Sequence, residues 1–211
     1  MKLAVFDLDG VILDIEIGGF KYLAKSIGKQ REVGEIDEEY QRRKHLGPYG
    51  LEQLASLFEG FSYKRLRELS YDICKANLMK GARETIKTLK ARQYSIAFLS
   101  SNPLIITEQL KDILAADFIC GNELEFKDGI CTGILLRKVD RYTKAEELDK
   151  IIKENRISRS TIYIIGDSIT DIPMSQYGTF ISFNSHDENV DKAAKYVIKE
   201  KDLTKILQFI K

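Results

Sequence analysis

Two aspartate pairs, each directly behind an apolar run, are the residues best suited to chemistry in this chain. Asp7 and Asp9 follow Leu3-Ala4-Val5-Phe6 and precede Gly10, while Asp167 and Asp171 follow Thr161-Ile162-Tyr163-Ile164-Ile165-Gly166. Carboxylates gathered at strand ends can hold a hard cation, attack an electrophile or move a proton. Taken alone, Asp7-Leu8-Asp9-Gly10 reads equally well as a polar turn behind a strand. Two other segments add to the set. Ser100-Ser101-Asn102-Pro103 ends the apolar run 94–99 and offers hydroxyls and backbone amides. Thr143-Lys144-Ala145-Glu146 has the Ser/Thr-x-x-Glu form of a capping box, which makes Lys144 the first residue of a helix. A cation at the positive end of a helix attracts anions, phosphate above all. Each segment also has a plainer reading: Ser100 as a helix cap, Lys144 as a solvated helix start.

The elements that must position these residues follow from periodicity. Leu3 to Phe6 is apolar on both faces, as a parallel strand with helices above and below requires. A spacing of two then keeps Asp7 and Asp9 on one side, in the crevice at the carboxyl ends of an open α/β sheet. Helical patterns at 84–92, 104–114 and 144–155 alternate with strands at 94–99 and 161–165, and 179–183 and 195–198 read as later strands. Pro173 suits the first turn of a helix that Gly178 ends. This alternation predicts an α/β fold with a doubly wound parallel sheet. Between the first strand and the rest, Phe20, Leu23, Ala24 and Ile27, then Leu51, Leu54, Ala55 and Phe58, then Leu66, Leu69, Ile73 and Leu78 recur at helical spacing. We read residues 15–79 as an inserted helical cap and residues 1–14 with 80–211 as the core domain.

In chain order, Asp-x-Asp behind one strand, Ser behind a second, Lys at a helix start and Gly-Asp-x-x-x-Asp behind a third resemble the haloacid dehalogenase superfamily, with its Rossmann-like core. The phosphoserine phosphatase-like branch is the nearest, through Lys80-Gly81-Ala82-Arg83-Glu84-Thr85-Ile86, the hairpin around Lys127-Asp128-Gly129, Thr143-Lys144, and the closing Lys201-Asp202-Leu203-Thr204-Lys205-Ile206-Leu207. The resemblance implies a magnesium-dependent phosphomonoester hydrolase acting on a small phosphorylated metabolite. Asp7 is then the nucleophile that becomes an aspartyl-phosphate, and Asp9 the acid and subsequent base. Mg2+ would be held by the side chains of Asp7 and Asp167 and the backbone carbonyl of Asp9, with Asp171 orienting those ligands or Lys144. Lys144 would neutralise charge on the phosphoryl group and on Asp7. Ser100 would bind phosphate oxygens, with Ser101 and Asn102 beside it. Asp9 speaks against dehalogenation, since a halide needs no acid.

Glu16 falls where the branch holds its substrate's amine. The stretch 51–60 lacks the arginine that holds the carboxylate, and Phe58 stands near that place. Gly10-Val11 and Ser101-Asn102 also depart from the branch's usual residues. A substrate other than phosphoserine is therefore open, as are a phosphotransferase with the same intermediate and a binding or regulatory protein of the same fold without turnover.

The remaining composition narrows the class. Thirty-three basic and 32 acidic residues among 211 give a formal charge of +1, which offers nothing to attract nucleic acid or a membrane surface. No apolar run approaches the roughly 20 residues that span a bilayer, and a cytoplasmic location is the default expectation. Oligomeric state is not readable. Cys74, Cys120 and Cys131 lack CxxC spacing and read as buried thiols. A two-residue turn at Asp128-Gly129 would set Cys131 opposite Phe126, so Cys120 and Cys131 would not be cross-strand partners. His45 precedes Gly47-Pro48-Tyr49-Gly50, a turn at which a cap of this family reaches over the site, and is a minor candidate for the cap pocket. His186 receives no role.

Overall fold

The structure, a computed structural model, describes every residue except Gly47, Pro48 and Arg141. The first half of the turn expected at 47–50 therefore lies outside the described residues. Leu3, Ala4, Val5 and Phe6 are fully buried in β1 (Lys2–Phe6), the central strand of a seven-stranded sheet. The other strands are β2 (Tyr94–Pro103), β3 (Phe118–Lys127), β4 (Ile130–Arg137), β5 (Ile162–Gly166), β6 (Thr179–Phe183) and β7 (Tyr196–Ile198). Their order is β4-β3-β2-β1-β5-β6-β7, and every adjacent pair is parallel except the β3–β4 hairpin. Asp128 and Gly129 make that hairpin's turn with φ of +50° and +77°, and Phe126 faces Cys131. All three cysteines are free and buried.

Helices cover both faces, which is why β1 is apolar from Leu3 to Phe6. Between β1 and β2 the chain forms α1 (Gly19–Ser26), α2 (Gln30–Arg43), α3 (Leu51–Ser56) and α4 (Tyr63–Ala76). Next come α5 (Ala82–Ala91), α6 (Leu104–Leu114), α7 (Lys144–Glu154) and the short α8 (Glu188–Ala193). Leu3 and Val5 pack with Leu148 and Ile152 of α7 and with Met174. Ala4 and Phe6 pack with Ile86 and Leu89 of α5 and with Leu203 and Ile206, and this apolar cluster continues into Phe20, Leu54, Phe58 and Leu66 of the four inserted helices. No helix among the described residues is long and apolar enough to cross a membrane.

Three local expectations are corrected. β2 does not end at Leu99 but continues to Pro103, with its register against β3 shifting between Leu99 and Pro103. The buried Asn122 of β3 supports the extension, its amide donating to the Ser101 carbonyl and tying this segment to β3. The segment after Asp171 is a 3-10 helix, Ile172–Tyr177, with Pro173 in its first turn and Gly178 at its end. Lys144 does begin α7, but Thr143 forms no capping bond to the helix. Its Oγ1 instead accepts from the Asp140 N–H at 3.0 Å, and Asp140 Oδ1 accepts from the N–H groups of Tyr142 and Thr143 at 2.8 and 3.1 Å. Asp140, one turn ahead of the helix, thus takes up the amides of this turn in place of a capping box.

Candidate active site

Parallel register brings the carboxyl ends of β1, β2 and β5 level, with Phe6 opposite both Phe98 and Ile165. The next residue, Asp7, continues the ladder by donating its N–H to the Ile165 carbonyl at 3.0 Å, which places its side chain beside the segment after β5. Gly10 has φ of +73°, and a Cβ there would lie 2.2 Å from Asp167 Oδ2. Glycine is thus required on two counts, for the turn and for the close approach of the two acidic loops. Gly166 plays the second part on β5, since a Cβ would lie 2.4 Å from Asp171 Oδ2.

Lys144 stands at the centre of the site, 2 % exposed. Its Nζ is 2.8 Å from Asp7 Oδ1 and 2.6 Å from Asp171 Oδ1. Asp171 is fully buried, and its other oxygen accepts from the N–H groups of Asp167 and Ser168 at 3.2 Å each and from Ser168 Oγ at 3.3 Å. With both oxygens engaged, Asp171 has little left to offer a metal and instead fixes the ammonium on Asp7. Burial pulls the Lys144 ammonium down, but the Asp171 and Asp7 carboxylates outweigh that, so it titrates above the ordinary lysine range. It stays charged at neutral pH.

The carboxylates bear the opposite stress. Asp7, Asp167 and Asp171 present oxygens within 4.8 Å of one another. Burial first, then Asp171, pushes the Asp167 carboxyl up to about 7, and Asp7 is raised well above its usual range for the same reasons, although Lys144 pulls it back. Asp167 makes no ion pair among the described residues. A crowded oxygen cluster short of positive charge is the donor set a hard divalent cation satisfies, so these residues fit a metal.

Asp9 is held differently. Its carboxylate accepts the Gly19 N–H at the start of α1 (3.0 and 3.1 Å to its two oxygens), and Oδ1 also accepts from Asn102 Nδ2 at 3.0 Å. Burial raises its pKa, which the bonds from Asn102 and Gly19 oppose. Ser100 is buried, and its Oγ accepts the Asn102 N–H at 3.1 Å. Asn102 was expected among the phosphate-binding groups. Its side chain bonds Asp9 and, through Oδ1, the Phe20 N–H at 3.1 Å.

A cavity of about 590 Å³ opens over Asp7, Asp9 and Asp167, lined also by Glu16, Ser101, Lys21, Tyr40, Thr170, His186 and Lys201. Glu16 and Ser101 therefore face the same space as Asp7, Asp9 and Asp167, whereas Ser100, Asn102, Lys144 and Asp171 are buried and are not among its lining residues. Phe58 is not at this surface but fully buried against Phe20, ring centroids 5.8 Å apart. His45 is exposed and is not among the lining residues. The sequence reading missed Lys21, Tyr40, Lys201 and His186. Lys21 and Tyr40 had only helical periodicity to mark them, and Lys201 and His186 come from loops far along the chain. Lys21 pairs with Asp37, and Lys201 Nζ lies 2.6 Å from Asp14 Oδ1.

Comparison with known proteins fits this geometry. Residues 4–176 match the haloacid dehalogenase-like hydrolase family. Phosphoserine phosphatase of Archaeoglobus fulgidus is 31 % identical over 201 residues, 94 % of this chain and 57 % of that protein. Phosphoserine phosphatase of Methanocaldococcus jannaschii is 31 % identical over 212 residues, 100 % of this chain and 98 % of that protein. Among solved structures, an aspartyl-phosphate intermediate analogue of a phosphoserine phosphatase superposes with a TM-score of 0.79 at 28 % identity, over 100 % of this chain and 99 % of that one. The chain belongs to the haloacid dehalogenase-like hydrolase family. Within that family it is phosphoserine phosphatase-like.

Proposed function

We propose that this protein hydrolyses small phosphomonoesters through an aspartyl-phosphate on Asp7. The observation that carries the reading is the buried Lys144 ammonium bridging Asp171 and Asp7, the latter lining one cavity with Asp9 and Asp167. Asp7 attacks phosphorus. Lys144 offsets the charge of the attacking carboxylate and of the phosphoryl oxygens, and Ser100 with the neighbouring amides receives those oxygens. Asp9, raised by burial, protonates the departing alcohol and then deprotonates the water that opens the acyl phosphate. Asp171 keeps Lys144 in place.

The side chains of Asp7 and Asp167 and the backbone carbonyl of Asp9 would hold Mg2+. Bound there, the ion would screen the substrate dianion from the carboxylates and polarise the phosphoryl group. Residues 15–79 act as the cap over residues 1–14 and 80–211, and Glu16 presents an acceptor to the leaving group. Lys21 and Lys201 line the same cavity as Glu16. A leaving group with both an amine and a carboxylate would meet Glu16 and, in competition with Asp37 and Asp14, these two lysines, even without an arginine in 51–60.

Phosphate release from a panel of metabolites tests the reading: phosphoserine, phosphoglycolate, sugar phosphates and nucleoside monophosphates, each with magnesium, with EDTA and with Asp7→Asn. Release that needs magnesium and Asp7 is expected. Release unaffected by chelation would reject the metal, and release by Asp7→Asn would reject the nucleophile.

A further inference from the structure

Asn102 does something that phosphate binding does not explain. Its side-chain oxygen can only accept, and it faces the Phe20 N–H, which can only donate, at 3.1 Å. Its amide nitrogen can only donate, and it faces an Asp9 oxygen at 3.0 Å. Turning the amide over would set nitrogen against N–H and oxygen against carboxylate, so both partners fix the same orientation. The side chain is buried, and both of its amide atoms are already engaged. Gly19 completes the arrangement. Its N–H reaches both Asp9 oxygens at 3.0 and 3.1 Å, and a Cβ at this position would lie 2.8 Å from Asn102 Nδ2. The approach of α1 to Asp9 and Asn102 therefore depends on the absence of a side chain there.

We infer that Asn102 is the positioning residue for Asp9: anchored by the Phe20 N–H, it and the Gly19 N–H hold that carboxyl where it protonates the leaving group. The inference rests on the phosphatase reading above. Two donors, Asn102 Nδ2 and the Gly19 N–H, act on Asp9 Oδ1, and only the longer Gly19 contact acts on Oδ2. Oδ2 is thus the oxygen left to carry the proton. In the first step the O–P bond of the ester breaks as the bond from Asp7 to phosphorus forms, and that proton passes to the departing alkoxide. Because Asn102 joins the phosphate loop to α1, acid catalysis also depends on α1 being seated.

The test is a leaving-group comparison. An alkyl phosphomonoester needs the proton, whereas p-nitrophenyl phosphate expels a stable phenolate without it. Relative to wild type, Asn102→Ala and Asn102→Leu are expected to lower kcat/KM for the alkyl ester by about 10²-fold, the scale of general-acid assistance, and that for the nitrophenyl ester far less. Inhibition by inorganic phosphate should keep its Ki. Cleavage of the activated ester doubles as proof of folding. Gly19→Ala, which retains the N–H but crowds the Asn102 amide, should give the same selective loss and serves if the Asn102 variants fail to fold. Parallel loss on both esters, or a weakened phosphate Ki, would make Asn102 a phosphate ligand or a structural residue and overturn the inference alone. Wild-type protein that cleaves neither ester would refute the phosphatase reading and the inference with it.

Discussion

Asp167→Asn is expected to stabilise the metal-free protein at neutral pH and above while removing its response to magnesium. Burial and Asp171 raise the Asp167 carboxyl from 3.8 to about 7. A folded-state pKa above the unfolded one means that the native state keeps a proton the unfolded chain has already lost. The stability linked to that proton is complete below about pH 4 and is lost as pH rises to about 7. At 1.36 kcal/mol per unit the gap amounts to about 4 kcal/mol. Coulomb's law gives a similar size, at least about 3.5 kcal/mol for two carboxylate oxygens no more than 4.8 Å apart at an effective dielectric near 20. Asp167 is partly exposed, and screening lowers the expected gain to roughly 2–4 kcal/mol. At about 2–4 °C per kcal/mol for a chain of this size, Tm should rise by roughly 5–15 °C. Thermal melts in EDTA between pH 5 and 8, with and without excess magnesium, measure it. The wild type should lose stability as pH rises in EDTA and recover with magnesium; the variant should lose less, because only the raised Asp7 carboxyl remains, and should not recover. A variant no more stable than wild type at pH 8, or one with the same pH slope, would refute the argument that the cluster is strained by its own charge.

Removing Lys144 should have the opposite sign. Lys144→Met leaves Asp7 and Asp171 without their cation, and chemical denaturation should show a loss of about 3–5 kcal/mol together with lost turnover; an equally stable variant would mean that the carboxylates relax at little cost. Glu16→Gln should spare a substrate without an amine and impair an aminated one in steady-state assays, and equal effects on both would remove Glu16 from amine binding. Burial pushes the Cys74 thiol up to about 12 and Cys120 up to about 11, so a disulfide reagent at pH 8 should find neither in the native protein and should titrate three thiols after unfolding. Rapid native reaction at Cys74 would place that residue in a segment that opens.

The sheet was legible because β1, β5 and β6 carry apolar runs that no alternative element explains, and the acidic pairs sit directly behind two of them. Lys144 was placed correctly at the start of α7 by a capping pattern that does not in fact form, since Asp140 caps the turn from outside the four-residue window. The role of Asn102 was not legible. It follows from contacts with Asp9 and Phe20, 93 and 82 residues away in sequence, and nothing local separates a phosphate-loop amide from one turned toward a neighbouring carboxylate. The cavity rim escaped for the same reason, because Lys21, His186 and Lys201 meet only through the tertiary fold. Phe58 shows the converse, as a residue aligned with a binding position turned out to belong to the core.

The most direct test of the central claim is to trap the covalent intermediate. Wild-type protein in excess over a substrate chosen from the panel, quenched in acid during turnover with magnesium, should gain the mass of one phosphoryl group. Peptide mapping should place it on Asp7, and Asp7→Asn should gain none. Turnover without such an adduct, or an adduct on any other residue, would contradict the account.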